Sequence, residues 1–158
     1  MINISEYVKE DKEDVDKMIA EFQDFEIDIV DNRLPGKEIS SQYREYLIRK
    51  CREDGGRFLI ARLEDNTPVG YIAYWVEEPD TAFLFKIKST LYVSDLFIVK
   101  EHRSKGIGGA LLKLAYDSAT RLGLKAVTLN VLTNNYNAIS VYEKHGFKET
   151  DRMMIKII

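Results

Sequence analysis

The chain has 158 residues, 45% of them hydrophobic and 31% charged, with a net charge of -3 at pH 7 and a sequence pI ≈ 5.5. That length suits one domain, expected over residues 1–158, while the mild acidity disfavours a nucleic-acid partner and fits a cationic small substrate slightly better than an anionic one. Cys51, the only cysteine, allows no intrachain disulfide and points to a reducing, cytoplasmic setting; no signal peptide and no membrane span is expected.

Ile2, Ile4 and Tyr7 suggest a short first strand. Asp11 or Asp14 can cap a helix behind it, and Val15, Met18, Ile19 and Phe22 then share one helical face. Residues 25–37 read as an acidic segment broken by Leu34, Pro35 and Gly36. Ser40 or Ser41 can cap a second helix carrying Tyr43, Leu47 and Cys51 on one face, ended by Asp54, Gly55 and Gly56. Residues 57–63 and 69–76 read as two strands joined by a turn over 64–68. Residues 91–99 form a third β-rich run, expected to be buried on both faces.

Residues 107–122 read as a helix whose stripe is Ile107, Leu111, Ala115 and Leu122, with Lys113, Asp117 and Arg121 as i, i+4 partners. Residues 126–132 read as a strand, 137–145 as a short helix and 147–158 as a closing strand. The order predicts an α/β fold with a mixed sheet, antiparallel in its first half and parallel where β-α-β crossovers follow. No internal repeat or low-complexity tract interrupts it.

The glycines Gly106, Gly108 and Gly109 fall where the 107–122 helix begins. A helix start exposes N–H groups without intrahelical partners and carries partial positive charge. Glycine lets a phosphate approach those groups, and Arg103 and Lys105 add cations beside them. Each glycine costs a helix roughly 1 kcal/mol relative to alanine, so a plain turn is the weaker explanation. The run lacks the last glycine of the dinucleotide fingerprint and the Gly-Lys-Ser/Thr of a nucleotide P-loop.

The pattern from Val99 through Arg103, Ser104, Lys105, Gly106, Ile107 and Gly108 resembles the Arg/Gln-x-x-Gly-x-Gly/Ala signature of the GCN5-related N-acetyltransferase (GNAT) superfamily. Downstream, the run from Asn134 and Asn135 through Ala138 to Tyr142, Glu143, Lys144, His145, Gly146 and Phe147 resembles that family's Asn-x-x-Ala…Tyr-Glu-Lys-x-Gly-Phe signature. Residues 95–99 look like its fourth strand. The resemblance covers about residues 90–150 and fades before about residue 57. It implies a mixed, mostly antiparallel sheet flanked by helices, with a splay between strands 4 and 5. It also implies an acetyl-CoA-dependent N-acetyltransferase, with the loop 103–109 on the cofactor's pyrophosphate. A bulge in strand 4 would free main-chain groups of Phe97, Ile98 and Val99 for the pantetheine arm. Asn135 would touch that arm; it also reads as an N-cap, a role for which Asn137 competes.

Amine acetylation needs a base for the ammonium and an acid for the leaving thiolate. Tyr142 matches the family's acid; its periodicity also suits a packed helix tyrosine. Asp95 is the candidate base, because a carboxylate in an apolar strand needs a reason to be there and desolvation raises its pKa. A strand-end residue or an ion-pair partner is the competing reading, and a water relay the competing base. His102 and His145 lack a matched acid, so no metal site is expected. Cys51 reads as a core thiol.

The acceptor side is read from residues alone. The acidic, apolar segment 25–31 contributes Asp28 as a candidate contact for a cationic amine; Tyr74 or Trp75 is a candidate wall. The run Thr81 to Phe85 suits a lid, a strand edge or a contact in a homodimer. The expected partner is a primary amine: a polyamine or other small amine, an aminoglycoside-like compound or a protein amine. A CoA-binding sensor and a dinucleotide oxidoreductase are the rival classes.

Overall fold

The strand-like runs of the sequence become one sheet. A computed structural model describes residues 2–29 and 32–156. Its strands are β1 (Asn3–Glu6), β2 (Arg57–Arg62), β3 (Pro68–Glu77), β4 (Thr90–Ile98) and β5 (Val127–Leu129). They lie side by side in chain order. β1 to β4 pair antiparallel, and β4 pairs with β5 in parallel. The helices are α1 (Lys12–Ile27), α2 (Gly36–Glu53), α3 (Ile107–Arg121) and α4 (Tyr136–Lys144).

α1 and α2 cover one face of the sheet. Val15, Met18 and Ile19, spaced as the sequence predicts, pack with Leu47 and Cys51 against Phe58, Tyr71, Trp75 and Phe97. α3 covers the other face, where Ile107, Leu111 and Ala115 meet Leu59, Ile72, Tyr74, Leu91 and Val93. Each such large side chain contributes about 1.5–3 kcal/mol by leaving water. The stripe stops short of Leu122, which caps α3 and is exposed. Lys113 pairs with Asp117 at 2.7 Å as read, whereas Arg121 turns to the Ser118 hydroxyl. Among the described residues no helix is long and apolar enough to cross a membrane.

Several boundaries differ from the expected ones. α2 begins at Gly36, and Ser40 and Ser41 lie inside it. Asp24 of α1 supplies the missing cap, its Oδ1 accepting from the Gly36 N–H at 2.7 Å. Asp11 precedes α1 without capping it; its carboxylate accepts from the Val8 N–H and from Arg62, the latter at 2.5 Å. β4 alternates buried and half-buried residues and is not sealed on both faces. β5 is shorter than residues 126–132, and residues 147–156 form no strand. The 81–85 run makes a short 3-10 turn, Ala82–Leu84, with Phe83, Leu84 and Phe85 exposed, so it is no strand edge. Of the segments read from sequence, Val30, Asp31, Ile157 and Ile158 lie outside the described residues.

The junction of α1 and α2 is tight. A Cβ on Gly36 would lie 2.2 Å from the Ala20 carbonyl oxygen. Backbone cannot yield there as a flexible side chain would. Gly36→Ala is therefore expected to destabilise the fold by about 1–3 kcal/mol, as overpacking does. A urea midpoint lowered with an unchanged m-value checks it.

Two irregularities in β4 shape the sheet's open end. The β3–β4 register steps from Ala73↔Asp95 to Tyr74↔Val93, which leaves Ser94 as an extra residue. Such a bulge re-aims the neighbouring side chains. The parallel pairing with β5 covers only Leu91, Tyr92 and Val93. Beyond Val93 the two strands are no longer paired, and a splay opens beside the bulge.

Candidate active site

The bulge turns both Ser94 and Asp95 toward α2. The Tyr43 hydroxyl lies 3.4 Å from Ser94 Oγ and donates to Asp95, at 3.0 Å from Oδ2 and 3.2 Å from Oδ1. Asp95 is 6% exposed. Burial raises its pKa from the usual carboxylate range to about 7; the Tyr43 hydrogen bond pulls it down, the Glu26 charge pushes it up and Arg33 pulls it down. A carboxyl group poised near neutrality is suited to taking and returning protons. Burial and the Asp95 charge in turn hold the Tyr43 hydroxyl far above its usual value, so it stays a donor.

Asp95 opens onto a cavity of ≈ 240 Å³ between α1, α2 and the sheet. Ile19, Phe22 and Ile39 give it apolar walls; Gln23, Glu26 and Arg33 give it polar ones; Tyr43, Tyr71 and Asp95 complete it. Arg33 bridges to Glu26 at 3.2 Å. Burial raises the Glu26 pKa and Arg33 lowers it. Tyr71 is fully buried, and its hydroxyl has no hydrogen-bond partner among the described residues.

The sequence reading placed two other residues here. Asp28 is exposed at the C-terminal cap of α1 and does not line the cavity; Glu26, deeper in the helix, does. Tyr74 belongs to the opposite face of the sheet, packed under α3 with its hydroxyl 2.8 Å from Ser118 Oγ. Alternation along β3 sends Tyr71 to the cavity and Tyr74 away from it, because the Ser94 bulge sits on β4 and leaves β3 in phase. Trp75 shares the cavity's face but packs between Tyr46 and Tyr92.

Tyr142 stands on α4. Its ring meets Phe147 edge to face at 5.7 Å. Burial pushes its hydroxyl up to about 12, with the Asp95 and Tyr116 charges adding to the effect. It is thus a neutral hydroxyl across the working pH range. Asn135 is the N-cap of α4, its Oδ1 accepting from the Ala138 N–H at 3.2 Å. The cap role falls to Asn135, and Asn137 lies inside the helix.

The glycine loop lies at the end of β4. Gly106 has φ +81° and Ser104 φ +60°, so the chain turns sharply into α3. The first helical hydrogen bond of α3 runs from the Ala110 N–H to the Gly106 carbonyl, at 3.0 Å. The N–H groups of Ile107, Gly108 and Gly109 precede it and have no helical partner. A Cβ on Gly106 or Gly108 would meet no protein atom within 4 Å, and one on Gly109 would touch only the His145 ring at 3.6 Å. Glycine at position 108 is therefore not required by packing. Bare N–H groups, open space above glycine and Lys105 nearby fit a diphosphate. Arg103 donates its Nε to the Ile98 carbonyl at 2.8 Å and lays its guanidinium over the Phe97 ring at 5.7 Å, tying the loop to the strand.

The main chain of β4 corrects one expectation. The Val99 N–H is taken by the Val69 carbonyl at 3.0 Å. By the alternation of an antiparallel ladder, Phe97 then also faces β3, while Ile98 and Leu96 present their main-chain groups to the splay. Of Phe97, Ile98 and Val99, Ile98 is the one whose main chain turns from β3, and its carbonyl already accepts from Arg103 Nε.

Comparison with known proteins decides which family carries this geometry. Residues 19–147 match the model of the acetyltransferase (GNAT) family. The chain belongs to the GNAT family. The match begins inside α1, well before residue 57, where the motif resemblance fades. The chain is 35% identical over 117 residues to the uncharacterized N-acetyltransferase YhfO of Bacillus subtilis, covering 69% of this chain and 78% of that protein. It is 33% identical over 99 residues to the L-ornithine N5-acetyltransferase of Arabidopsis thaliana, covering 61% of this chain and 42% of that protein. The fold is shared with an acetyl transferase of Pyrococcus furiosus, at a TM-score of 0.76 and 23% identity over 100% of both chains. The GNAT chain is an N-acetyltransferase, and it moves an acyl group to an amine.

Tyr43, Glu26, Arg33 and Tyr71 are the cavity residues that sequence reasoning missed. Tyr43 was legible only as part of a core stripe with Leu47 and Cys51; those two are buried, and Cys51, its thiol pushed up to about 12 by burial, is inert. Tyr43→Phe tests its link to Asp95. Loss of the donor removes an influence that lowers the Asp95 pKa, so the ascending limb of the pH–rate profile is expected to move to higher pH. An unmoved limb means that Tyr43 serves packing alone.

Proposed function

We propose that this GNAT chain transfers acetyl from acetyl-CoA directly to a small primary amine, with Asp95 as the base. The observation that carries the reading is the buried Asp95 carboxyl, held near pH 7 at the β4 bulge, between an amine-sized cavity and the splay.

The chain's own groups divide the work. The N–H groups of Ile107, Gly108 and Gly109, with Ser104, Lys105 and the free N–H donors of Arg103, would hold the pyrophosphate. The main chain at Ile98 would hold the pantetheine arm and orient the acyl carbonyl. Acetyl-CoA, when bound, supplies an acetyl group activated as a thioester. Asn135 would serve the site as the cap that fixes where α4 and Tyr142 stand.

An acceptor arrives as an ammonium, with a pKa near 10 in water. Burial in the cavity lowers that value, and Asp95, directly or through a water it orders, takes the proton. The nitrogen lone pair then forms the new N–C bond while the C–S bond breaks. Tyr142, a neutral hydroxyl, donates toward the departing sulfur, and the second proton that the nitrogen sheds as the amide forms restores that hydroxyl through solvent. No enzyme nucleophile is needed, which agrees with the inert Cys51. The buried, unpaired thiol also suits a reducing, cytoplasmic setting.

Release of free CoA thiol from acetyl-CoA, followed with a panel of primary amines, tests this function. Amine-dependent release with acetylated amine as co-product supports it. Tight cofactor binding without turnover of any amine would favour a CoA-binding sensor instead.

A further inference from the structure

The cavity beside Asp95 carries groups that a plain amine would leave unused. Tyr71 is fully buried in its lining, with a hydroxyl that bonds to nothing among the described residues. A buried hydroxyl without a partner is destabilising. It persists where a ligand supplies the missing partner. Arg33 lies at the exposed end of the same cavity, its side chain 39% exposed. A guanidinium has five N–H donors. The one contact engaging it among the described residues is Glu26 Oε2, at 3.2 Å from one terminal nitrogen. Toward the described residues, most of its fork remains free.

We infer that the acceptor is a zwitterion of amino-acid type, its amine on Asp95 and Tyr71 and its carboxylate on Arg33. The inference rests on the acetyltransferase function proposed above and names its substrate class. An ammonium entering the cavity meets Asp95 and the Tyr71 oxygen, which accepts one of its N–H groups. A carboxylate at the other end meets the free edge of the Arg33 guanidinium, which suits a planar anion with two parallel hydrogen bonds. Glu26 does not oppose this. Arg33 already compensates its charge, and burial favours its neutral form. A diamine or polyamine fares worse, because its second ammonium would face the guanidinium.

Matched acceptor pairs test this: leucine against isoamylamine and ornithine against putrescine, each in the CoA-release assay. The carboxylate-bearing member is expected to have the higher kcat/KM by about tenfold or more, as loss of one charge-assisted contact implies. Arg33→Met should collapse that ratio toward one by raising KM for the amino acid, with the plain amine little changed. Arg33→Lys, which keeps the charge but not the fork, should restore part of the ratio. Tyr71→Phe should lower kcat/KM for both members while leaving their ratio intact. Because each ratio is taken within one protein preparation, partial unfolding cancels from it. Equal or better turnover of the plain amines by the wild type, or a ratio unmoved by Arg33→Met, would overturn the inference while the acetyltransferase function stood. No turnover of any amine would overturn both.

Discussion

Asp95→Asn is expected to lower kcat by about 10²–10⁴, the usual contribution of a positioned general base. The wild-type rate should rise with pH through about 7, as the Asp95 carboxyl ionises. Tyr142, held up near 12, keeps its proton over that range and adds no descending limb near neutrality. In the Asn variant the ascending limb at 7 should vanish. A variant within tenfold of wild type, with the limb intact, would move the base to another group or to an unassisted water.

The same substitution has a second expected effect, of opposite sign. The carboxyl titrates near 4 in the unfolded chain and near 7 in the folded one. Between those values the unfolded state gives up the proton first, so stability falls as pH rises. The loss is complete above about 7 and absent below about 4. It amounts to about 1.4 kcal/mol for each pH unit between the two values. Asp95→Asn should therefore be more stable than wild type at pH 8 and nearly equal to it at pH 3, measured by urea unfolding. Gain of stability with loss of rate is the mark of a site strained for function.

Gly108→Val is the second large effect. Beyond its own stretch of helix, nothing in the protein lies within 4 Å of a Cβ at that position. Its backbone, unlike that of Gly106, does not require positive φ. The variant should fold with a Tm equal to or above wild type, since glycine is the poorer helix former. The added side chain would nevertheless occupy the space above the bare N–H groups. KM for acetyl-CoA is expected to rise by about tenfold or more, the loss of charge-assisted hydrogen bonds to phosphate. A stabler protein with an unchanged KM would reduce the loop to a turn.

Much of the fold was legible in the sequence because local signals and tertiary packing agreed. The stripe Val15, Met18 and Ile19 points to the face it buries, and the apolar runs of β2 and β3 are buried along nearly their whole length. The glycine cluster marked the helix start, and Asp95 stood out as a charge among apolar neighbours. The acceptor cavity was not legible in the same way. It is assembled from α1, α2, the segment between them and two strands, so its members are distant in sequence. Tyr43 reads as core, and Arg33 belongs to no sequence pattern. Aromatic character does not reveal which face of a strand a residue takes, so it points to Tyr74 or Trp75 while Tyr71 is the one that lines the cavity. A loop reading of residues 25–37 favours Asp28, whereas α1 runs to Ile27 and it is Glu26 that lines the cavity. Ser40 and Ser41 looked like caps, but the cap comes from Asp24 on the preceding helix, which no local pattern could signal.

The loop at Arg103 to Gly109 reads from sequence as an anion site at a helix start. The structure adds that its glycines stand clear of the protein's own backbone and that Arg103 ties it to the β4 edge where the splay opens. Calorimetric titration of the protein with acetyl-CoA, and separately with NAD, tests that assignment most directly. Saturable one-to-one binding of acetyl-CoA, weakened by Gly108→Val and absent with NAD, is the predicted result. Heat with NAD and none with acetyl-CoA would contradict it.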